Sequence, residues 1–339
     1  MAIVLDAMGS DDHPEPELQA AVQAAEMYQE KIFLVGNQEV LAERLKALNP
    51  KSLPVQIIHA PDILEMGDKA VASAQKKPNN SMAVGLELVK NGEAKAFVTA
   101  GNTGAAMFVA LRKLGRIKGV QRPALTGLFP VKDGYTVVLD IGANVDARPE
   151  FLLQFAIMGS IYAQKALKIA NPRVGLLSNG EEAGKGNQLV RETYPLLANS
   201  GLNFIGNVEG KELFGHAADV VVTDGFTGNV LLKSSEAVAR LMVDVLRKEL
   251  MTSFQTKIGA LLARPAFAAI KKMMDPAEVG AAPLLGIDGL VFVGHGRSNA
   301  QALTSAIRVA HQAVNANLLE TLRQEIQARL FSEAPGNLV

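Results

Sequence analysis

Glycine-rich loops that carry Asn, Asp, Thr, Lys or His follow several apolar segments of this sequence. Glycine lets the backbone approach a ligand closely, and a helix that starts after such a loop offers free N–H groups to an anion. Asn and Thr add uncharged donors, and Lys adds a positive charge. If the fold gathers the loops at one edge of a sheet, they predict a polar cleft for phosphate. The loops are residues 6–11, 100–105, 141–144, 178–187, 224–229 and 294–298.

Two side chains in these loops could take part in chemistry. Lys185 lies between two glycines, where a flexible amine can bind an oxyanion, although a solvated loop lysine explains it equally well. His295 is also flanked by glycines, and it could donate to a substrate oxygen or protonate a leaving group. A histidine that is hydrogen bonded within a turn is the plainer alternative. Three carboxylates at predicted strand ends could orient donors, ligate a metal or cap a helix: Asp6, Asp140 and Asp224.

The composition excludes several classes of protein. The chain has no cysteine, which removes disulfides, Cys-ligated zinc, iron–sulfur clusters and thiol nucleophiles. With only five histidines and no nucleotide-binding glycine motif in its required context, we expect neither a metal nor a cofactor. Lys plus Arg and Asp plus Glu both number 34, which disfavours a nucleic-acid binder. We predict neither a signal peptide nor a membrane span, and we expect a cytoplasmic protein.

Short β-branched runs alternate with longer helical patterns. This alternation predicts an α/β protein of three α/β/α layers with a largely parallel, mixed sheet, in which ligands bind beyond the carboxyl ends of the strands. The expected strands are 3–5, 32–35, 55–59, 96–99, 125–129, 136–140, 174–177, 203–205, 219–223 and 290–293. The expected helices are 17–30, 38–48, 81–90, 105–114, 150–169, 181–198 and 298–330.

Residues 229–275 show no strand pattern, so we predict a helical hairpin inserted within one domain of residues 1–339. Residues 251–274 of this hairpin combine cations with apolar side chains and contain no acid. That composition fits either contact with an anionic membrane surface or burial in a helical dimer interface. The candidate membrane residues are Phe254, Ile258, Leu261 and Leu262. A second acid-free cationic segment, residues 112–122, carries Arg112, Lys113, Arg116, Lys118 and Arg122.

Nine short motifs together carry a resemblance to a known family. They are residues 5–9, 101–105, 139–144, 154–159, 179–182, 206–210, 224–229, 283–286 and 295–298. Through them the chain resembles, over essentially its whole length, the phosphate acyltransferases of bacterial phospholipid synthesis. It departs from the family pattern at Ser10 and at Ala282, where the family favours glycine.

The resemblance implies a fold like those of isocitrate and isopropylmalate dehydrogenases and of phosphotransacetylases. It also implies a homodimer that associates peripherally with the inner face of the cell membrane. The implied reaction joins an acyl group from acyl carrier protein to orthophosphate, and the acyl phosphate then serves a membrane glycerol-3-phosphate acyltransferase. Phosphate is already anionic and can attack a thioester directly, so this reaction needs no enzyme thiol, in agreement with the missing cysteine.

On this basis we assign roles to particular residues. Lys185 would neutralise phosphate, His295 would polarise the carbonyl or protonate the thiolate, and Asn229 completes the catalytic set. The cationic segment 112–122 is the expected contact for the acidic carrier protein, and the hairpin is the expected contact for the membrane. Residues expected to bind phosphate or substrate are Asp6, Gly9, Asn102, Thr103, Gly104, Asn144, Gly184, Asp224 and Gly225.

Two other functions remain open from the sequence. One is a metal- and nicotinamide-dependent decarboxylating dehydrogenase of the same fold, which would need clustered Asp ligands, whereas the Asp residues here are spread over separate loops. The other is a non-catalytic scaffold that joins a membrane to the carrier protein. The many glycine loops of ligand-binding type argue against the scaffold.

Overall fold

One eleven-stranded sheet runs through the molecule, in the order β3-β2-β1-β4-β11-β10-β5-β6-β9-β7-β8. The computed structural model describes residues 1–49, 51–274 and 276–331. The strands are β1 Ala2–Asp6, β2 Lys31–Gly36, β3 Val55–His59, β4 Ala96–Thr99, β5 Ala124–Val131, β6 Gly134–Leu139, β7 Val174–Leu177, β8 Phe204–Val208, β9 Val220–Val222, β10 Ala281–Leu285 and β11 Leu290–Gly294.

Helices cover both faces of the sheet because most strands are apolar on both sides. The helices are α1 Glu15–Tyr28, α2 Gln38–Leu48, α3 Ala70–Lys76, α4 Ser81–Lys90, α5 Thr103–Lys113, α6 Pro149–Ala166, α7 Gln188–Ala198, α8 Gly210–Phe214, α9 Gly225–Leu250, α10 Phe254–Leu262, α11 Arg264–Met274, α12 Pro276–Val279, α13 Ala300–Asn315 and α14 Leu318–Phe331. One apolar core joins the sheet to α1, α2, α6, α7, α13 and α14, and a second joins it to α3, α4, α5 and α8. The three predicted layers are therefore present.

Strand direction divides the sheet into two halves. Strands β1 to β4 and β11 are parallel to one another, and β6 to β9 are parallel to one another. Between these halves, β10 pairs antiparallel with both β11 and β5, and β5 pairs antiparallel with β6. The two halves therefore point in opposite directions. We call the edge where β1, β4 and β11 end the first edge, and the edge where β6, β7 and β9 end the second edge.

All ten predicted strands are present, but some predicted boundaries are wrong and the strand β10 has no counterpart in the prediction. Strand β10 was not predicted, because its sequence contains Pro283 and two small alanines, which weaken a strand pattern. The helix predicted over 181–198 begins only at Gln188. The helix predicted over 298–330 is two helices, because Asn317 between them has a positive φ of 53°.

The region predicted as an inserted hairpin contains helices α9, α10 and α11, between strands β9 and β10. Helix α9 begins at Gly225, four residues before the predicted start, because Asp224 caps it by accepting the N–H of Thr227 at 2.8 Å. Residue 275, the predicted end of the hairpin, lies outside the described residues. Within the described part of the chain, no helix combines the length and apolar character needed to cross a membrane.

Candidate functional site

A first loop cluster lies at the first edge and contains residues 6–13, 62–69, 99–104 and 294–298. Asp6 is fully buried, and its carboxylate accepts hydrogen bonds from Thr99 Oγ1 at 2.7 Å and from Met8 N at 3.1 Å. Burial raises the pKa of Asp6 above its usual value. A Cβ on Gly9 would lie 2.8 Å from Gly101 N, so the first two loops pack backbone against backbone. Asp6 and Gly9 therefore hold the loops after β1 and β4 together inside this cluster.

The start of helix α5 belongs to the same cluster. Asn102 caps the helix by accepting the N–H of Ala105 at 3.0 Å, and its Nδ2 donates to the Met66 carbonyl at 2.9 Å. The Asn102 side chain is thus occupied in holding the loop that follows β3. Thr103 and Gly104 form the first turn of α5, where backbone N–H groups favour an anion. In this cluster the Asn102 amide already donates within the protein, so the backbone N–H groups at the start of α5 are the better candidates for anion donors.

His295 lies at the end of β11 and is exposed. Its Nδ1 accepts the N–H of Arg297 at 3.3 Å, while Nε2 has no partner among the residues that the structure describes. The neighbouring Gly296 carbonyl accepts the N–H of Asp11 at 2.8 Å, which joins this loop to the loop after β1. His295 is therefore held by its backbone, with one ring nitrogen directed to solvent.

Glu17, on helix α1, is a buried carboxylate beneath the first cluster that sequence reasoning missed. Its Oε1 accepts the N–H of Ser10 at 3.1 Å, and burial raises its pKa to about 7. The available signal was its place on the apolar stripe of α1, three and four residues before Ala20 and Ala21. Ser10, which replaces the family glycine, is not among the residues with a positive φ, so the replacement brings no backbone strain there.

A second loop cluster lies at the second edge and contains residues 140–144, 178–187 and 224–229. Asp140 is fully buried at its centre, where burial raises its pKa. One oxygen, Oδ2, accepts both the backbone N–H of Asn144 at 2.6 Å and its side-chain amide at 2.8 Å. The other, Oδ1, accepts backbone N–H groups of Leu125, Gly142 and Ala143 at 3.0 to 3.1 Å. Asp140 therefore fixes the loop after β6.

Helix α9 starts directly against this loop. Gly225 donates its N–H to the Asn144 carbonyl at 2.7 Å, and a Cβ on Gly228 would lie only 1.9 Å from the Asp140 carbonyl. Only glycine permits so close an approach of two backbones. Asn229 follows, and its Nδ2 lies 2.9 Å from the position that a Gly142 Cβ would occupy. The half-buried Asn229 amide is thus held above the loop after β6.

Lys185 and Gly184 lie in the exposed loop between β7 and α7. The Lys185 N–H donates to the Glu182 carbonyl at 2.9 Å, and a Cβ on Gly180 would lie 2.8 Å from Lys185 Cγ. The loop therefore folds back tightly on itself. Among the described residues, no carboxylate forms an ion pair with the Lys185 ammonium. That ammonium remains available to an anionic ligand.

The structure does not bring all of the predicted site residues together. His295 follows β11 at the first edge and Lys185 follows β7 at the second edge, five strand positions apart. Five inter-strand spacings amount to about 24 Å across the sheet. The structure therefore divides the six loops between two clusters, which follow strands of opposite direction. The first cluster holds Asp6, Gly9, Asn102, Thr103, Gly104 and His295, and the second holds Asn144, Gly184, Lys185, Asp224, Gly225 and Asn229.

The cationic segment 112–122 adjoins the second cluster. Ile117 donates its N–H to the Gly286 carbonyl at the end of β10, and the Asn144 amide donates to the Pro123 carbonyl at 2.8 Å. Lys113 pairs with Glu87 at 2.8 Å, and the Arg116 guanidinium donates to the Gln121 carbonyl. Arg112 and Arg122 are exposed. Positive charge thus lies beside the loop that Asp140 organises.

The helices after the second cluster leave many apolar side chains exposed. On α9 they recur at the spacing of one helix face, at Val238, Leu241, Met242, Val245 and Leu246. On α10 the predicted membrane residues are also exposed, with Phe254 at 78%, Ile258 at 45%, Leu261 at 68% and Leu262 at 77% of their maximal surface. An exposed apolar face of this extent marks a surface that contacts another molecule.

Comparison with known proteins assigns the family. The family described as "Fatty acid synthesis protein" matches residues 1–321. The "Phosphate acyltransferase" of Pelotomaculum thermopropionicum is 47% identical over 339 residues, which cover 100% of this chain and 99% of the relative. The chain belongs to the phosphate acyltransferase family. The resemblance noted in the sequence is confirmed, and the chain is an acyltransferase enzyme of fatty acid and lipid synthesis.

Solved structures confirm the fold of this phosphate acyltransferase family member. The "EutD phosphotransacetylase from Staphylococcus aureus" matches with a TM-score of 0.59 and 16% identity over 94% of each chain. A putative 4-hydroxythreonine-4-phosphate dehydrogenase from Salmonella typhimurium matches with a TM-score of 0.52 and 12% identity, covering 92% of this chain and 99% of that one. At such identities the likeness concerns the mixed α/β fold alone. Among the described residues, no three His, Cys, Asp or Glu side chains are grouped to hold a metal ion.

Proposed function

We propose that this acyltransferase moves a fatty acyl group from acyl carrier protein to orthophosphate and releases acyl phosphate. The observation that carries the proposal is the unpaired ammonium of Lys185, held on a glycine-rich loop of the same cluster as Asn229 and beside a cationic segment. An anionic nucleophile and an acidic protein donor both fit this charge. Lys185 attracts and neutralises phosphate, and Asn229 donates to the oxyanion of the tetrahedral intermediate.

The chemical step then needs no covalent enzyme intermediate. A phosphate oxygen attacks the thioester carbonyl, the tetrahedral intermediate collapses, and the carrier leaves as a thiolate. The protein has to hold phosphate against the carbonyl and stabilise the oxyanion, for which one good donor contributes about 3 kcal/mol. Asp224 acts indirectly by capping helix α9, which carries Asn229, and Asp140 does so by fixing the loop after β6 against which α9 packs.

Substitution of Lys185 tests the phosphate site. In an assay of phosphate-dependent release of free carrier protein, we expect Lys185→Ala to raise the KM for phosphate at least tenfold. Lys46→Ala, a lysine on the exposed face of α2, serves as the matched control and should change that KM less than twofold. A wild-type phosphate KM in Lys185→Ala would refute the role of Lys185.

Arg112 and Arg122 are our candidates for contact with the carrier protein, because both are exposed at the ends of the cationic segment. Arg116 is a poorer target, since its hydrogen bond to the Gln121 carbonyl also closes the local loop. We expect Arg112→Glu/Arg122→Glu to raise the KM for acyl carrier protein at least tenfold and to leave the phosphate KM unchanged. Lys46→Glu/Lys132→Glu controls for the change in net charge. An unaltered carrier KM would remove the assignment.

Helix α10 is our candidate contact with an anionic membrane surface, where the product would pass to a membrane glycerol-3-phosphate acyltransferase. Its exposed apolar side chains can insert while Lys257 and Arg264 meet the lipid headgroups. We expect Leu261→Glu/Leu262→Glu to abolish co-flotation with vesicles that contain anionic lipid. Met27→Glu, at another exposed apolar residue, should float as the wild type does. Retained flotation of the double variant would refute this contact.

The apolar face of α9 is our candidate interface for a homodimer. In such a dimer, Lys185 of one chain and His295 of the other could serve one substrate, since within a chain the two follow strands that lie five positions apart in the sheet. Mixed dimers of Lys185→Ala and His295→Ala chains test this arrangement. If each site combines two chains, the mixed dimers should show more carrier-release activity than either variant alone, measured at a phosphate concentration below the wild-type KM. Activity no higher than the average of the two variants would contradict a shared site.

A further inference from the structure

The Glu182 carbonyl is the point that joins the Lys185 loop to the sheet. It accepts the N–H of Lys185 at 2.9 Å, and it also accepts Nδ2 of Asn207 at 2.8 Å. Asn207 lies in β8, opposite Leu176 of β7, and is only 6% exposed. One carbonyl oxygen therefore connects a rigid, buried side chain to the backbone of the exposed lysine.

The other contacts of this loop are weaker anchors. Lys211 forms ion pairs with Glu181 at 3.2 Å and with Glu209 at 3.1 Å, but Lys211 and Glu181 are both largely exposed. Exposed ion pairs hold long side chains only loosely in water. Residues 181 to 185 are all exposed, so little packing restrains them. The buried amide of Asn207 is the firmest attachment that the described residues offer to this segment.

The Asn207 side chain is poorly explained as a stabilising residue. Its Oδ1 is buried and has no partner among the described residues, and the neighbouring Ser178 Oγ is in the same condition. A buried acceptor without a donor is unfavourable, and an apolar side chain of similar size would avoid that penalty. The hydrogen bond that Asn207 does form in the structure is the one from its Nδ2 to the Glu182 carbonyl. A flipped amide would place Oδ1 against the Glu182 carbonyl, so the orientation is fixed.

We propose that Asn207 is the positioning residue for Lys185, acting through the Glu182 carbonyl to hold the ammonium where phosphate binds. This inference rests on the proposed role of Lys185. The sequence analysis includes Asn207 in the family motif 206–210, beyond the predicted strand 203–205, but gives it no role; the structure places it within β8. Misplacing a binding group by about an ångström is enough to weaken its contribution severely.

Asn207→Leu tests the proposal, because leucine keeps the branched arrangement of heavy atoms and removes both the donor and the unpaired oxygen. We expect the variant to be at least as stable as the wild type, with a phosphate KM raised about tenfold and a carrier-protein KM within twofold. A purely structural role would lower stability and affect both KM values together. Lys211→Met, which removes the exposed ion pairs of the same loop, is the matched control and should leave the phosphate KM within twofold.

Two further measurements decide the outcome. If Asn207 acts through Lys185, the double variant Asn207→Leu/Lys185→Ala should have the same phosphate KM as Lys185→Ala alone. A further rise of the phosphate KM in the double variant would overturn the proposal. Hydrogen exchange of the peptide covering residues 178–187 should be at least tenfold faster in Asn207→Leu, and wild-type protection would also overturn it. If Lys185→Ala leaves the phosphate KM unchanged, the proposed role of Lys185 is refuted. The exchange rates then still decide whether Asn207 holds the loop.

Discussion

The contact between helix α9 and the loop after β6 leads to a sharp prediction. A Cβ on Gly228 would lie 1.9 Å from the Asp140 carbonyl oxygen, which is 1.5 Å less than the 3.4 Å at which ordinary contact begins. The obstacle is backbone, which no side-chain rotation can relieve. Gly228→Ala must therefore push the start of α9 away from the loop. Overpacking of this kind costs about 3 kcal/mol or more.

The same displacement should reach the candidate site. Asn229 is the next residue, and its amide lies above Gly142 at the centre of the second cluster. For a chain of 339 residues, 3 kcal/mol corresponds to a loss of about 4 °C in Tm. We further expect kcat/KM in the carrier-release assay to fall about 100-fold, because the shift of α9 misplaces the Asn229 donor.

A graded series of variants makes this reasoning testable. A Cβ on Gly225 would lie 2.6 Å from the Asn144 carbonyl, a smaller overlap, whereas one on Gly259 would meet no atom within 4 Å. Gly225→Ala should therefore fall between the wild type and Gly228→Ala in Tm and in activity. Gly259 lies in a helix, so Gly259→Ala should raise the free energy of unfolding by about 0.5–1 kcal/mol and leave the enzyme active. A Gly228→Ala enzyme with wild-type Tm and activity would refute the argument.

Three more predictions follow from buried charge and exposed apolar surface. Because burial raises the pKa of Glu17 from 4.5 to about 7, folding stability should fall as pH rises through that window, by up to about 3 kcal/mol. Glu17→Gln should remove that part of the pH dependence in urea unfolding, and an unchanged profile would contradict the assignment. In Asp140→Asn, an amide NH2 group would replace an oxygen that accepts hydrogen bonds from the backbone N–H and the side-chain amide of Asn144. This contact between donors should lower the free energy of unfolding in urea by about 3 kcal/mol. Leu241→Glu should convert the proposed dimer to a monomer in sedimentation analysis, whereas a persistent dimer would place the interface elsewhere.

Sequence reasoning succeeded where a residue's role depends on its neighbours along the chain. The apolar runs gave ten of the strands, because burial between two helical layers requires continuous apolar sequence. Helix ends were harder to predict. Asp224 caps α9 with a side chain that could equally have served a ligand, and Asn102 does the same for α5 while also holding Met66. Only coordinates show which hydrogen bonds those side chains have already formed.

Buried polar residues were the least predictable part of the site. Glu17 lies on a helix and Asn207 in the family motif 206–210, and nothing in their neighbours along the chain identifies the hydrogen-bond partner of either side chain. Their hydrogen bonds join Glu17 to Ser10 and Asn207 to Glu182, across seven and twenty-five residues of chain. Such contacts depend on tertiary packing. A charged or amide side chain on an apolar stripe should therefore be treated as a candidate for a structural anchor beneath a loop.

The division of the loops between two edges was, in contrast, encoded locally. Asp133-Gly134 separates two apolar runs, and this dipeptide is a strong signal for a tight hairpin. Val131 pairs with Gly134 across the turn, so the turn residues are Lys132 and Asp133, and Asp133 has a positive φ of 65°. The hairpin reverses the chain, so β6 must run against β5, and β7, β8 and β9 then run parallel to β6. Together with the two antiparallel pairings of β10, that hairpin directs the strands β6, β7 and β9 opposite to β1, β4 and β11. A site that uses Lys185 and His295 together would have to bridge loops on strands that lie five positions, or about 24 Å, apart in the sheet.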